Sequence, residues 1–349
     1  MVLNRIQHSR ALWYTVGPAS LGKEEDLFPS GATGIRLTFS FGTPELQLER
    51  AINIKAAARS VDCDCTVVAD LAGEKVRLGT FRREPTVEAR AGARVRLVAN
   101  DSADPSPEDL TLPIPNAAFL ARLKKGNVIT IGDGAAVLVI TGAGDDHVAA
   151  EVMDNGVINH TRGLTLQGSE FRPQPLTPKD LGDLDHVLSR PEYDCVAVSF
   201  VASDADVVRV RQLMDKAGRK IPVIAKIETQ VGVENIESIC RVADCVMAAR
   251  GDLALAIPWV ELPAAVDQIA KAAMRAGKPW ILATQVAEGL ERFVMPTRAE
   301  ICDLANWLKE GTAGVLLSYE TAFGARPVAA VACTAQILRR WGNTDAPRF

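Results

Sequence analysis

The fold is decided by residues 222–252, PVIAKIETQVGVENIESICRVADCVMAARGD. A short apolar run opens this stretch, a segment with helical spacing of apolar residues follows, and a second short apolar run closes it. Short apolar runs rich in β-branched residues are typical of parallel strands that are buried on both faces, and a helix is their usual connection. The stretch therefore predicts a strand–helix–strand unit of an α/β protein.

The same alternation extends in both directions along the chain. Eight strands are predicted, at residues 12–16, 34–39, 66–70, 195–200, 222–227, 245–249, 280–284 and 314–317. Helices are predicted after most of them, at residues 44–58, 204–216, 234–242, 261–275 and 298–309. Eight such repeats favour a closed (β/α)8 TIM barrel. An open doubly wound sheet is the alternative, although its usual GxGxxG fingerprint does not follow the first strand.

Residues 78–168 have a different pattern. Runs such as VEARAGARVRLVA (87–99) alternate apolar and polar residues and are broken by Gly, Asp and Asn. Such runs predict a small antiparallel β-barrel with tight turns. Because it interrupts the chain between the third and fourth barrel strands, we interpret it as an insertion in a βα loop, leaving residues 1–77 and 169–349 for the barrel. Loops of this kind lie at the end of the barrel that carries active sites, so we expect the insertion to be a mobile lid.

The composition excludes several classes of protein. The 349 residues are 48% hydrophobic and 23% charged, which is ordinary for a globular chain and not for a disordered one. The net charge of −4 argues against a nucleic-acid partner. Neither a membrane-spanning run of about 20 apolar residues nor a signal-peptide core is present, which predicts a cytoplasmic protein. Seven scattered cysteines, an odd number, predict reduced thiols and not a disulfide framework.

Polar residues interrupt the ends of the predicted strands. They are Arg36, Ser40, Asp70, Lys75, Arg77, Ser199, Lys226, Glu228, Arg250, Asp252, Thr284, Ser318 and Glu320. Because the carboxyl ends of parallel barrel strands meet at one rim, we expect these side chains to converge there.

Lys226 and Glu228 are the most informative pair. Their spacing of two places both side chains on the same side of a strand. Glu228 and Asp252, from neighbouring strands, have the oxygen ligands that hold Mg²⁺ or Mn²⁺. A lysine beside them would stabilise charge on a phosphoryl group or an enolate. The alternative is a buried Lys–Glu pair that only completes the barrel core.

Two further positions leave both a binding and a structural interpretation open. The Ala249–Asp252 turn, with Gly251 at its centre, presents backbone N–H groups that could bind a carboxylate or phosphate, or it is an ordinary βα turn. The Thr284 hydroxyl could orient a ligand or cap the next segment. Thr297 and Glu300, by contrast, have the spacing of a helix capping box, which indicates a structural role.

Taken together, these segments resemble pyruvate kinase. The likeness rests on TVGPAS (15–20), GATGIRLTFSFG (31–42), DLAGEKVRLG (70–79), VAVSFV (196–201), AKIET (225–229), GVENI (232–236), AARGDLALAIP (248–258), AGKPWILATQ (276–285), PTRAE (296–300) and SYETAFGARPV (318–328). The family has a (β/α)8 barrel with a lid inserted at this point. It normally carries a further C-terminal effector domain, which we expect this chain to lack.

The resemblance implies a reaction and a role for each residue. The reaction is phosphoenolpyruvate plus ADP to pyruvate plus ATP, in a cytoplasmic enzyme that could form a homodimer through its barrel. The implied roles are stabilisation of the phosphoryl group by Lys226, binding of the divalent metal by Glu228 and Asp252, binding of phosphate and nucleotide by Arg36 and Arg77, binding of the three-carbon acid by Ser199, Thr284 and the turn Ala249, Arg250, Gly251 and Asp252, and proton delivery by Ser318 and Glu320.

The monovalent-cation site of the family is altered here. Its matching positions read Thr38, Ser40, Asp70 and Leu71, and Lys75 stands where potassium-dependent relatives have a glutamate. This set resembles the potassium-independent branch, in which a lysine ammonium replaces the ion. We therefore expect Lys75, with Ser40 and Asp70, to make K⁺ unnecessary.

The nucleotide end of the likeness departs from the family pattern at Thr38, Phe41 and Ala72, whereas the enolpyruvate end is intact. Three hypotheses therefore stay open. The chain is a pyruvate kinase, or another enzyme that uses a metal-bound pyruvate enolate, such as a lyase, an aldolase or a pathway kinase with another acceptor, or a paralogue without catalytic activity.

Overall fold

The computed structural model describes residues 10–144, 146–168 and 171–342. Within them the chain divides into two compact units. The first contains residues 10–73, 174–251 and 262–342, and the second contains the rest, including residues 252–261. The predicted boundaries of the inserted domain, at residues 78 and 168, stay a prediction.

Eight parallel strands of the first unit form a closed barrel. With strands numbered along the whole chain, they are β1 (Ala11–Thr15), β2 (Gly34–Thr38), β3 (Thr66–Asp70), β14 (Cys195–Val198), β15 (Val223–Ile227), β16 (Cys245–Ala249), β17 (Trp280–Ala283) and β18 (Gly314–Leu317). Each strand pairs with its predecessor and successor in this series, and β1 pairs with β18 to close the ring. The predicted (β/α)8 barrel is confirmed.

The barrel strands are buried on both faces, as their sequences predict. One set of side chains fills the interior, among them Trp13, Cys195 and Met247, each no more than 1% exposed. The Cys195 thiol is fully buried, and desolvation raises its pKa well above the usual value, so it packs as an apolar group. All seven cysteines are free.

The helices lie between and after these strands. In chain order they are α1 (Glu24–Leu27), α2 (Pro44–Ser60), α3 (Ala117–Leu120), α4 (Pro178–Leu188), α5 (Asp204–Ala217), α6 (Gln230–Glu234), α7 (Ile236–Val242), α8 (Arg250–Ala256), α9 (Leu262–Arg275), α10 (Arg298–Lys309), α11 (Tyr319–Ala322) and α12 (Pro327–Trp341), with 3-10 turns at Trp259–Glu261 and Glu288–Glu291.

Local signals placed the helix boundaries well, with one exception. The predicted capping box is present before α10, where Glu300 accepts the Thr297 N–H at 2.7 Å and Thr297 accepts the Glu300 N–H at 3.2 Å. The helix predicted at 234–242 begins two residues late, as α7, and the short helix α6, which was not predicted, precedes it and ends at Glu234. The Asn235 backbone leaves the helical region, and its amide donates to Ala202 O at 2.9 Å.

The second unit is a β structure with its own apolar core. Its strands are β4 (Thr80–Phe81), β5 (Thr86–Ala89), β6 (Arg94–Val98), β7 (Ser102–Ala103), β8 (Leu110–Pro113), β9 (Val128–Ile131), β10 (Ala136–Ala143), β11 (Val148–Val152), β12 (Gly156–Asn159) and β13 (Leu164–Leu166). Six of them form one sheet in the order β13-β9-β10-β11-β6-β8. Leu97, Leu112 and Ile129 are fully buried in the core of this unit.

The pairing in this unit differs from the predicted antiparallel barrel in two places. The pairs β6–β8 and β4–β7 are parallel. Parallel neighbours cannot be joined by a tight hairpin, so residues 99–109 cross over before β8 begins. An alternating sequence pattern identifies strands but does not distinguish the direction in which they pair.

None of the helices in the described part of the chain is long and apolar enough to span a membrane.

Candidate active site

A buried group of charges lies at the carboxyl ends of β3 and β15. Lys226 Nζ lies 3.0 Å from Asp70 Oδ1 and 3.1 Å from Glu228 Oε1. It also donates to Ser199 Oγ at 2.7 Å. Strand β14 runs between β3 and β15, and this order brings the ends of the three strands together. The four side chains belong to residues that are less than a tenth exposed.

The protonation state of Lys226 is set by its two acidic neighbours. Burial on its own lowers the pKa of a lysine. For Lys226 the attraction of Asp70 and Glu228 outweighs burial and the repulsion of Arg36, so its pKa is raised above the usual value. An ammonium group is thus held in place at neutral pH. A buried ion pair of this kind contributes little net stability to the fold, so a role in binding or catalysis explains its presence better than a structural role does.

Arg36, on β2, adds a second positive charge to this group. Its Nη1 lies 3.5 Å from Asp70 Oδ2, and its side chain is 17% exposed. The Nε of Arg36 is buried without a hydrogen-bond partner in the described residues. An unpaired buried donor costs about 1–3 kcal/mol, so this group is suited to an anion or water.

Backbone geometry fixes the carboxylate of Glu228. Its Oε2 accepts the Phe200 N–H at 2.8 Å. Phe200 has a φ of +55°, in the left-handed region that bulky residues rarely adopt. This turn also ends β14 at Val198, two residues before the predicted end of the strand. The local conformation of the chain therefore directs an N–H group at the carboxylate.

Thr284 follows the last residue of β17 and also has a positive φ, of +71°. A Cβ atom built at Gly251 would lie 3.1 Å from Thr284 Cγ2 and 3.4 Å from its Oγ1. Gly251, just after Ala249 at the end of β16, therefore allows the Thr284 side chain to approach the backbone of this turn closely. The two segments predicted to bind a small acid are adjacent in the first unit.

Ser318 and Glu320 lie together after β18. Glu320 accepts the backbone N–H of Ser318 at 2.9 Å and that of Ala287 at 3.3 Å. Burial raises the pKa of Glu320, although these N–H donors oppose the shift. The Ser318 Oγ is buried and lacks a hydrogen-bond partner in the described residues. The Glu320 carboxyl group, with its raised pKa, is thus hydrogen-bonded to the backbone of the residue that carries the unpartnered hydroxyl.

The raised pKa of Glu320 predicts a pH dependence of stability. Above the ordinary glutamate value, about 4.3, the unfolded chain releases this proton while the folded chain retains it. The free energy of unfolding should therefore fall as the pH rises through the interval between the two values. Urea titrations across the pH range should show that Glu320→Gln removes part of this slope, whereas Glu310→Gln, at an exposed position, should retain it. Identical slopes in wild type and Glu320→Gln would contradict the assignment.

The remaining predicted residues are placed as follows. In the second unit, Asp252 Oδ1 lies 2.8 Å from Lys75 Nζ. Arg77 Nη1 in the same unit donates to Thr161 O at 3.3 Å. Ser40 belongs to the first unit and is exposed in the turn after β2. The predicted association of Lys75 with Ser40 and Asp70 stays a prediction. Across the described ranges, no group of three or more Asp, Glu, His or Cys side chains is arranged to bind a metal.

Comparison with known proteins assigns the family. The family model "Pyruvate kinase, barrel domain" matches residues 8–331. A pyruvate kinase of Mycobacterium intracellulare is 35% identical over 326 residues, which cover 93% of this chain and 68% of that protein. Others from Chlamydia trachomatis serovar D and Thermococcus litoralis are 33% and 30% identical and cover 95% of this chain, with 68% and 69% of their own lengths. The chain belongs to the pyruvate kinase family. It is therefore a phosphotransferase of the pyruvate kinase type.

Sequence reasoning missed two features of this pyruvate kinase-like site. Asp70 was assigned to the monovalent-cation site, whereas the structure also makes it a partner of both Lys226 and Arg36. Asp303, in α10, was not singled out, yet it pairs with Arg250 at 2.6 Å. Asp303 has a local signal, since its Oδ1 accepts the indole N–H of Trp307 one helical turn further on. That spacing alone would not have identified Arg250 as the second partner.

Proposed function

We propose that this enzyme transfers the phosphoryl group of phosphoenolpyruvate to ADP, forming pyruvate and ATP, at the carboxyl end of the barrel. The observation that carries the proposal is the buried ammonium of Lys226 between Asp70 and Glu228, beside the unpartnered Nε of Arg36. Two fixed positive charges on largely buried side chains stabilise a phosphoryl group far more strongly than they would in water.

The balance of the reaction is simple. The bond between phosphorus and the enol oxygen breaks, and a bond from phosphorus to a terminal oxygen of ADP forms. Little covalent chemistry is required of the protein, so positioning and charge stabilisation account for most of the rate. Lys226 and Arg36 would hold the oxygens of the phosphoryl group in flight.

The three-carbon acid would be held by the turn that starts at Ala249. The backbone N–H groups around Gly251 and the hydroxyl of Thr284 offer donors to a carboxylate. Their proximity within the first unit supports this role. Ser199, which is 3% exposed and hydrogen-bonded to Lys226, would keep the ammonium directed at the substrate.

The enolate left by the transfer needs one proton on carbon to become pyruvate. The Ser318 hydroxyl and the carboxyl group of Glu320 would deliver it. Burial favours the protonated form of Glu320, and Ser318, whose hydroxyl has no partner in the described residues, donates its backbone N–H to the same carboxyl group. A carboxyl group whose pKa is raised by burial holds its proton more readily than an ordinary glutamate and can donate it to a developing carbanion.

Glu228 and Asp252 would hold Mg²⁺ or Mn²⁺. Mg²⁺ usually binds one or two carboxylates and completes its shell with water and substrate phosphate oxygens, so a protein needs to supply only one or two carboxylate ligands. When bound, the cation would neutralise negative charge on the substrate oxygens. The role of the protein is to supply Glu228 already oriented by the Phe200 N–H.

We further propose that K⁺ is not required, with Lys75 supplying the positive charge. The rate should then stay constant between zero and about 100 mM KCl. Tetramethylammonium chloride at equal ionic strength is the control, because added salt also screens charges and could change the rate without any K⁺ site. An activation of tenfold or more that is specific to K⁺ would contradict it.

The choice of acceptor depends on the nucleotide end, where Thr38, Phe41 and Ala72 replace family positions and Arg77 is retained. A coupled assay with phosphoenolpyruvate and a panel of nucleoside diphosphates tests the proposal, and ADP should support turnover. Binding of Mg²⁺ and oxalate in calorimetry without turnover of any nucleotide would favour the other enolate enzymes. Absence of both would indicate a paralogue without catalytic activity.

We also propose a cytoplasmic enzyme that forms a homodimer through its barrel. Sedimentation velocity on the purified chain would test the second point.

A further inference from the structure

The turn after β17 has a backbone conformation that its residues disfavour. Thr284 has a φ of +71° and Gln285, the next residue, a φ of +53°. Positive φ is uncommon outside glycine and is a genuine outlier for a β-branched residue such as threonine. Two such residues in succession persist only where their surroundings hold them. The groups that contact this turn must therefore stabilise the positive φ of Thr284 and Gln285.

Arg250 holds both residues of the turn. Its Nε and Nη2 donate to Thr284 O at 3.1 and 2.8 Å, and Nη2 also donates to Gln285 O at 2.9 Å. The side chain is only 11% exposed. The planar guanidinium can bind two successive carbonyl groups in a fixed direction, which a lysine ammonium cannot do.

Asp303 in turn holds Arg250. Its Oδ2 lies 2.6 Å from Arg250 Nη1, and its Oδ1 accepts the Trp307 indole N–H at 2.7 Å. The Trp307 ring packs edge-on against Trp280, the first residue of β17, with ring centroids 5.9 Å apart. A chain of contacts thus runs from the start of β17 through α10 and back to the turn at its end.

We propose that Arg250 and Asp303 form a turn clamp whose purpose is to position the Thr284 hydroxyl for the substrate. The proposal rests on the proposed function for the role of Thr284. The Arg250 guanidinium then affects the substrate indirectly, by holding the turn that carries Thr284. Its N–H groups bond to the turn and to Asp303, so Arg250 would contact the three-carbon acid through its backbone N–H only. Both clamp residues are positioning residues and touch no reacting atom.

Kinetics provide the first test. Asp303→Asn preserves the size of the side chain but weakens the ion pair with Arg250. Arg250→Lys preserves the charge but removes the planar guanidinium that binds the carbonyl groups of Thr284 and Gln285. Each should lower kcat/KM for phosphoenolpyruvate by about 10- to 100-fold, the range expected for small misplacements, while the KM for ADP stays within about twofold. Asp267→Asn is the matched control, since it removes the 2.7 Å pair with Lys271 on the same unit. It should leave both parameters unchanged.

A double-mutant cycle separates positioning from general damage. If Asp303 acts through Thr284, then in a Thr284→Val background Asp303→Asn should change kcat/KM by less than about twofold, because coupled residues are not additive. An equal loss in both backgrounds, with folding confirmed by thermal unfolding, would overturn the proposal.

Amide hydrogen exchange tests the clamp without any turnover. Residues 284–287 should exchange faster in Asp303→Asn than in wild type or Asp267→Asn, since a strained turn opens once its support is weakened. If Asp303→Asn shows faster exchange but the wild-type protein transfers no phosphoryl group, the clamp is supported and the proposed function is rejected. Unchanged exchange would overturn the clamp itself, and faster exchange with unchanged kinetics would overturn its positioning role.

Discussion

Lys226→Met should lower kcat for phosphoryl transfer from phosphoenolpyruvate by about 10³-fold, the effect of losing one preorganised electrostatic contact in a buried site. The ammonium lies about 3 Å from both carboxylates and is kept charged by them. Its loss leaves the phosphoryl group facing Asp70 and Glu228 with Arg36 as the remaining cation of the buried group. Steady-state kinetics with saturating substrates measure the effect.

The same substitution should also destabilise the barrel. Removing one partner of a buried ion pair leaves the other charges uncompensated and lowers the free energy of unfolding by about 3–5 kcal/mol. Lys226→Arg keeps the charge and should remain folded, with a kcat that is still strongly reduced because the shape of the cation differs. Lys271→Met, which removes a surface lysine of α9, is the matched control and should retain full activity. A folded Lys226→Met variant within about tenfold of the wild-type kcat would refute the role of Lys226.

Chelation of divalent cations should abolish turnover, and Mg²⁺ or Mn²⁺ should restore it. Glu228 and Asp252 are the proposed protein ligands, and their carboxylate oxygens are of the type that these cations prefer. Glu228→Gln should raise the Mg²⁺ concentration for half-maximal rate by at least about tenfold, comparable to the loss of a well-placed group around a metal. Rate measurements over a series of Mg²⁺ concentrations determine this value.

The control for the metal experiment is Glu237→Gln, at an exposed glutamate of α7 that pairs with Arg275. Its Mg²⁺ dependence should equal that of wild type. Full activity of the wild-type enzyme in excess chelator would show that Glu228 and Asp252 serve another purpose.

The barrel could be predicted from sequence because its signals are local. Each strand is a short apolar run, and the run at 245–249 coincides with β16 residue for residue. The capping box at Thr297 is likewise a property of four adjacent residues. Periodicity gives less information where the chain departs from regular geometry, as at Asn235, which separates the predicted helix from the short helix α6 that was not predicted.

The partners within the site could not be predicted in the same way. Asp70 and Lys226 are 156 residues apart in the chain, and only the order β3-β14-β15 brings them together. The positive φ of Phe200 and Thr284 is imposed by tertiary contacts that oppose the local preference of each residue. Family resemblance supplied the proposed functional positions, whereas the distances between the side chains and the raised pKa of Lys226 follow only from the tertiary structure.

The most direct measurement is the stoichiometry of products when the purified chain is mixed with phosphoenolpyruvate, ADP and Mg²⁺. Formation of ATP and pyruvate in equal amounts, with neither formed when ADP is omitted, is the result we predict. Pyruvate released without ATP, or no consumption of phosphoenolpyruvate, would contradict phosphoryl transfer by this barrel.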